Sequence, residues 1–162
     1  MFTIPSFLQS RQSGIPITML TCYDAASASA LADSGVDCLL VGDSVSMVVH
    51  GLNSTLNASM DMIEGHVRAV RAGASAASII ADMPFLSTTT GLADAVRAAG
   101  RLMMAGANAV KIEGLAGHEE IIPHLIASGI PVMGHLGLQP QSVNVYGAYR
   151  LQGGDESHAD AI

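Results

Sequence analysis

The stretch Leu39-Leu40-Val41-Gly42-Asp43-Ser44 decides how the chain is read. A short apolar run meets a glycine, then a carboxylate and a hydroxyl. This is the pattern of a buried strand that delivers polar groups at its C-terminal end. Ser78-Ile79-Ile80-Ala81-Asp82 repeats it, and Ala109-Val110-Lys111-Ile112-Glu113 gives a third version. Two further runs, Ile15–Thr21 and Ile130–Gly134, complete five strand candidates, the others spanning Asp37–Gly42, Ala77–Ala81 and Asn108–Ile112.

Helical segments lie between them. A short one is expected near Ser6–Gln12, and Asp24 can cap Ala25–Ser34. Ser59 can cap Met60–Ala72, Thr90 or a neighbour opens a helix running to Ala105, and a shorter helix spans His118–Ala127 with Pro123 in its first turn. Gly35, Gly73, Gly106 and Gly129 stand at the helix ends, where a left-handed residue stops the helix. Strand and helix alternate throughout, which predicts a parallel sheet with helices outside it. Continuous apolar strands predict burial on both sheet faces. The long loop from Asp43 to Asn57 carries no periodicity.

The sequence has 162 residues, 49% of them hydrophobic and 4% aromatic, so an aliphatic core of one domain over residues 1–162 is expected. A formal net charge of −7 argues against nucleic acid or an anionic membrane as partner. Cys22 and Cys38 lack metal-ligand spacing and read as buried reduced thiols. No apolar run approaches the ~18 residues of a membrane span. These features predict a soluble, cytoplasmic protein.

In parallel α/β folds the reactive groups gather at the C-terminal strand ends. Here those ends carry Tyr23 and Asp24, Asp43 and Ser44, Asp82, Lys111 and Glu113, and His135. Three converging carboxylates need positive charge between them, and oxygen-only donors suit magnesium. The expectation is that these ends meet and hold a divalent cation and a small keto acid. Each residue alone has a plainer reading. Asp43 can be a helix cap, Lys111 and Glu113 share a face and can form a salt bridge, and His135 can be structural. His50, His66, His118, His124 and His158 read as surface or loop residues.

Six segments together resemble the ketopantoate hydroxymethyltransferase family. They are Thr21–Asp24, Leu40–Ser44, Gly51–Leu56, Ala81–Phe85, Ala105–Gly114 and Gly134–Ser142, in the family's order and spacing. The resemblance implies a (β/α)8 TIM barrel of the phosphoenolpyruvate/pyruvate superfamily, truncated here to about five βα units. It implies a magnesium-dependent transferase of pantothenate biosynthesis. A hydroxymethyl group would pass from 5,10-methylenetetrahydrofolate to 3-methyl-2-oxobutanoate, giving 2-dehydropantoate. By match to the family's motifs, Asp43, Asp82 and Glu113 would hold Mg2+. Asp43, Ser44, Asp82 and Lys111 would bind the keto acid, and His135 would lie close by. A homo-oligomer is implied as well. The family's proton acceptor is a glutamate on a sixth strand, which has no counterpart in this sequence. The chain alone is therefore expected to be inactive or nearly so. Two other readings stay open: a different magnesium-dependent keto-acid carbon–carbon lyase of the superfamily, or a non-catalytic fragment that associates with a full-length subunit.

Overall fold

The computed structural model describes residues 3–160 and 162. Five strands, β1 (Met19–Thr21), β2 (Cys38–Val41), β3 (Ser78–Asp82), β4 (Ala109–Glu113) and β5 (Val132–His135), form one sheet in the order β1-β2-β3-β4-β5. Every pairing is parallel. The strand order follows the chain order with no reversal, as in an arc of a (β/α) barrel rather than a doubly wound sheet. The helices are α1 (Ile4–Ser13), α2 (Ala25–Ala32), α3 (Val45–Val48), α4 (Met60–Gly73), α5 (Leu92–Ala105), α6 (Ile121–Ala127), α7 (Val143–Tyr146) and α8 (Glu156–Asp160).

Period-two alternation splits the strands between two cores. Leu39, Val41, Ile79, Ala81, Val110 and Ile112 face outward. They pack beneath Ile63, Val67 and Val70 of α4, Ala95, Ala99 and Leu102 of α5, and Leu125 of α6. Cys38, Ile80 and Ala109 face inward, where Phe7 of α1, Ile17, Leu40 and Met133 pack on them. That inner core fills the N-terminal half of the strands. Beyond it, on the same face, the alternation brings Asp82, Lys111, Glu113 and His135. The inner face is therefore apolar at its floor and charged at its mouth.

Burial on both faces holds for the middle of the sheet and fails at its edges. All of β3 is buried, whereas the three residues of β1 are exposed and β5 is half-exposed. The first strand is also shorter than the apolar run that suggests it, because only Met19–Thr21 find partners on β2. In the long loop after β2, α3 and a 3-10 turn at Thr55–Asn57 take up residues without periodicity. The Ser46 hydroxyl bonds there to Asp43 O at 2.8 Å and Ser54 O at 2.9 Å.

The expected caps form at Asp24, which accepts from Ser27 N–H at 2.8 Å, and at Ser59, which accepts from Met62 N–H at 3.2 Å. Gly35, Gly106 and Gly129 take positive φ at or just past the helix ends. Gly73 does not. It is the last residue of α4, and a Cβ there would lie 2.0 Å from Ala25 O of α2. Its role is close helix–helix approach, not termination.

Arg71 closes the base of the sheet. Its guanidinium donates to Gly106 O (2.7 Å), Asn108 Oδ1 (2.7 Å), Ala77 O (2.8 Å) and Ser75 O (2.9 Å). Asn108 Oδ1 also accepts from Ile79 N–H at 2.8 Å. One planar fork thus satisfies carbonyls left over from two helix C-termini and ties them to the starts of β3 and β4.

Candidate active site

Parallel register sets up the site. Asp82 lies beside Lys111 across the β3–β4 pairing, and Glu113 lies beside His135 across β4–β5. Lys111 Nζ is 3.0 Å from Asp82 Oδ1, 3.9 Å from Glu113 Oε1 and 3.3 Å from His135 Nδ1. His135 Nδ1 is also 3.2 Å from Glu113 Oε1. One ring nitrogen cannot accept from the lysine and donate to the glutamate at once, so the His135 tautomer selects between them.

Asp43 follows β2 by two residues. Its backbone N–H donates to Asp82 Oδ2 at 3.0 Å. A Cβ at Gly42 would crowd Ser44 Oγ at 2.9 Å and make ordinary contact with Asp82 Oδ2 at 3.5 Å, so glycine leaves room for the Ser44 hydroxyl. The Ser44 hydroxyl shares a 2.7 Å hydrogen bond with Tyr23 OH, which fixes both groups at the mouth.

Asp43 and Asp82 are each only 3% exposed. Burial, then repulsion from Asp82, pushes the Asp43 carboxyl up to about 6, against donation from Gln141 and attraction to Lys111. Burial also raises Asp82, opposed chiefly by Lys111. The Tyr23 phenol is raised by burial as well.

The three carboxylates do not form a finished cage. Among the described residues, no group of three or more His, Cys, Asp or Glu side chains is arranged to enclose a metal. Asp43 and Asp82 are neighbours, and the Lys111 ammonium stands between Asp82 and Glu113. Buried carboxylates need a compensating charge, and the flexible lysine stem brings one to them. The donor set still suits magnesium, which takes one or two carboxylates and retains waters. The raised carboxyls show that positive charge would be welcome beside them.

Asp43 can be compared with asparagine without any ligand. A folded-state value near 6, against an ordinary 3.8, means that the folded chain holds the proton more tightly. Stability therefore falls as pH rises from about 4 to about 6 and stays lower above that window. Asp43→Asn removes this penalty and keeps an acceptor for Gln141. In EDTA at pH 8 the variant is expected to be more stable by on the order of 2 kcal/mol, with little difference at pH 4. Thermal midpoints at the two pH values check this, and an equal gain at both would count against it.

Two features escape a reading of the sequence. Gln141, in a 3-10 turn after β5, reaches back to Asp43 and Glu113. His118 lies in the loop before α6 but is buried rather than on the surface, and it shares a 2.8 Å hydrogen bond with Thr88. Both line a cleft of about 710 Å3 that opens beside Glu113 and Met83. The Gln141 amide is plain in the sequence, but its target, Asp43, is not. Of the other histidines, His50 and His124 are exposed, and His66 is half-buried on α4. The side chain of His158 lies outside the described residues. Cys22 and Cys38 are free and buried, as expected.

A parallel strand–helix arc with its charged groups at the strand C-termini defines the class: a barrel-type α/β protein. Solved structures agree on this fold. A 2,3-dimethylmalate lyase, a member of the PEP mutase/isocitrate lyase superfamily, matches with TM-score 0.60 and 17% identity, over 83% of this chain and 51% of that one. A phosphonopyruvate hydrolase, solved with oxalate and Mg++, matches with TM-score 0.54 and 20% identity, over 68% and 38%.

Sequence comparison is more specific. The family model described as ketopantoate hydroxymethyltransferase matches residues 1–162, and the chain belongs to that family. It is 47% identical over 156 residues to the 3-methyl-2-oxobutanoate hydroxymethyltransferase of Bdellovibrio bacteriovorus, covering 96% of this chain and 59% of the relative. It is 55% identical over 144 residues to that of Pseudothermotoga lettingae, covering 88% and 54%. The chain therefore spans little more than half the length of these relatives. Among the described residues, no helix is long and apolar enough to cross a membrane.

Proposed function

We propose that the site serves transfer of a hydroxymethyl group from 5,10-methylenetetrahydrofolate to 3-methyl-2-oxobutanoate, forming 2-dehydropantoate for pantothenate synthesis. The setting is the cytoplasm, and the assembly a homo-oligomer. The observation that supports this most is the buried Asp43–Asp82 pair facing the Lys111 ammonium at the charged mouth of the sheet.

Mg2+ would be held by Asp43 and Asp82, with Glu113 as third carboxylate. Bound there, it supplies Lewis-acid charge at the 2-keto oxygen and makes the C3 proton acidic. The chain's own residues take binding and orienting roles beside it. Lys111 places a desolvated positive charge where a substrate carboxylate needs a partner. Ser44, oriented by Tyr23, can donate a second hydrogen bond to it. His135, between Lys111 and Glu113, is placed to hold or pass a proton. The apolar floor of Leu40, Ile80 and Met133 excludes water beneath the reacting carbon and suits an isopropyl group.

The test is calorimetric titration of 3-methyl-2-oxobutanoate into the chain, with Mg2+ or with EDTA. Binding is expected only with Mg2+ and is lost in Asp82→Asn. Deuterium exchange at C3, followed by proton NMR, then reports whether the bound acid is activated. Equal binding in EDTA would defeat the metal-dependent reading.

A further inference from the structure

A polar link across the mouth is made by a residue with no assigned role. Gln141 Nε2 donates to Asp43 Oδ2 at 2.8 Å and to Met83 O at 2.9 Å. Its backbone N–H donates to Glu113 Oε2 at 2.9 Å. A single loop residue after β5 therefore touches two carboxylates that come from β2 and β4, and the backbone just past β3. The amide's orientation follows from its neighbours. Both Asp43 Oδ2 and Met83 O only accept, so the NH2 end must face them, and its two protons are both used.

We infer that Gln141 is a positioning residue for the metal carboxylates: it holds Asp43 and Glu113 in their binding geometry before any ion arrives. This rests on the magnesium reading above. Buried side by side, Asp43 and Asp82 repel each other, which favours movement of the Asp43 carboxylate away from Asp82, whose own partner is Lys111. A donor fixed on one of them opposes that movement, and the Met83 carbonyl fixes the donor. The same turn anchors Glu113 through main-chain geometry that no side-chain substitution removes. Donors behind ligating carboxylates typically govern metal affinity by 10–100-fold.

The experiment replaces Gln141 with methionine, which keeps the length and volume of the side chain and removes its donor. Mn2+ binding to the chain is followed by electron paramagnetic resonance, with circular dichroism and the thermal midpoint as checks of folding. Gln141→Met is expected to weaken Mn2+ binding by roughly 10–100-fold in a folded protein, and Gln141→Ala by at least as much. If methionine restores binding that alanine loses, Gln141 merely fills space and the inference fails. It also fails if both variants bind Mn2+ as the unaltered chain does. Should the unaltered chain itself bind no Mn2+, the magnesium reading falls and takes this inference with it, an outcome distinct from the previous two. If Gln141→Met does not fold, Gln141→Asn serves instead. It keeps the amide but is one methylene too short to reach both acceptors, and the same loss is expected.

Discussion

Lys111→Met is expected to destabilise the fold by about 3–5 kcal/mol at pH 7.5, close to half the stability of an ordinary domain. Lys111 is 8% exposed, and its ammonium is 3.0 Å from Asp82 Oδ1 and 3.9 Å from Glu113 Oε1. Methionine matches the stem but leaves the buried Asp82 carboxyl without its cation, with Asp43 adjacent. The cost lies in the abandoned charges rather than in the lost attraction. Two consequences separate this from simple loss of packing. The penalty should shrink toward pH 4, because Asp43 and Asp82, already raised by burial, then take up protons. Adding Asp82→Asn to Lys111→Met should recover part of the stability, since the pair is coupled. Urea unfolding of the two single variants and the double variant measures all of this. A loss below about 1 kcal/mol for Lys111→Met would mean that water reaches the site freely.

Gly73→Ala is expected to cost more than about 3 kcal/mol, at the upper end of overpacking effects. Ordinarily alanine gains about 0.5–1 kcal/mol over glycine in a helix. Here the new methyl would lie 2.0 Å from Ala25 O and 2.7 Å from Ala25 C and Cα. All three are backbone atoms, so no side chain can rotate away and α2 must lift from α4. Gly65 provides an internal control. It lies in the same helix, and a Cβ there meets nothing within 4 Å. Gly65→Ala should therefore stabilise the chain by about 0.5–1 kcal/mol. Opposite shifts of the thermal midpoint for one substitution at two positions of one helix are the expected result, and a neutral Gly73→Ala would refute the close-approach argument.

These two residues also show what could be read from the sequence. Lys111 and Glu113 were legible because period two puts them on one face, and parallel register then sets Lys111 beside Asp82. The five strands and the main helices were legible for a similar reason: each is a short apolar run closed by glycine or a cap. Gly73 misled because a glycine beside a helix end looks the same whether it turns the chain or admits a neighbour. Helix α3 went unseen because four residues show no period. The place of the Lys111 ammonium between Asp82 and Glu113 depends on side-chain reach, which spacing does not encode. Gln141 acts on Asp43 from 98 positions away, and only the folded chain brings them together.

Strand order carries a last consequence, for synthesis. Each strand pairs with the one made just before it, so a nascent chain never exposes a finished strand that must wait for a distant partner. Loop-closure entropy stays small at every step, and the arc can grow one βα unit at a time as it leaves the ribosome. Arg71 sets the exception: its acceptors at Gly106 and Asn108 emerge some thirty-five residues later, so the base of the sheet is sealed only as β4 begins.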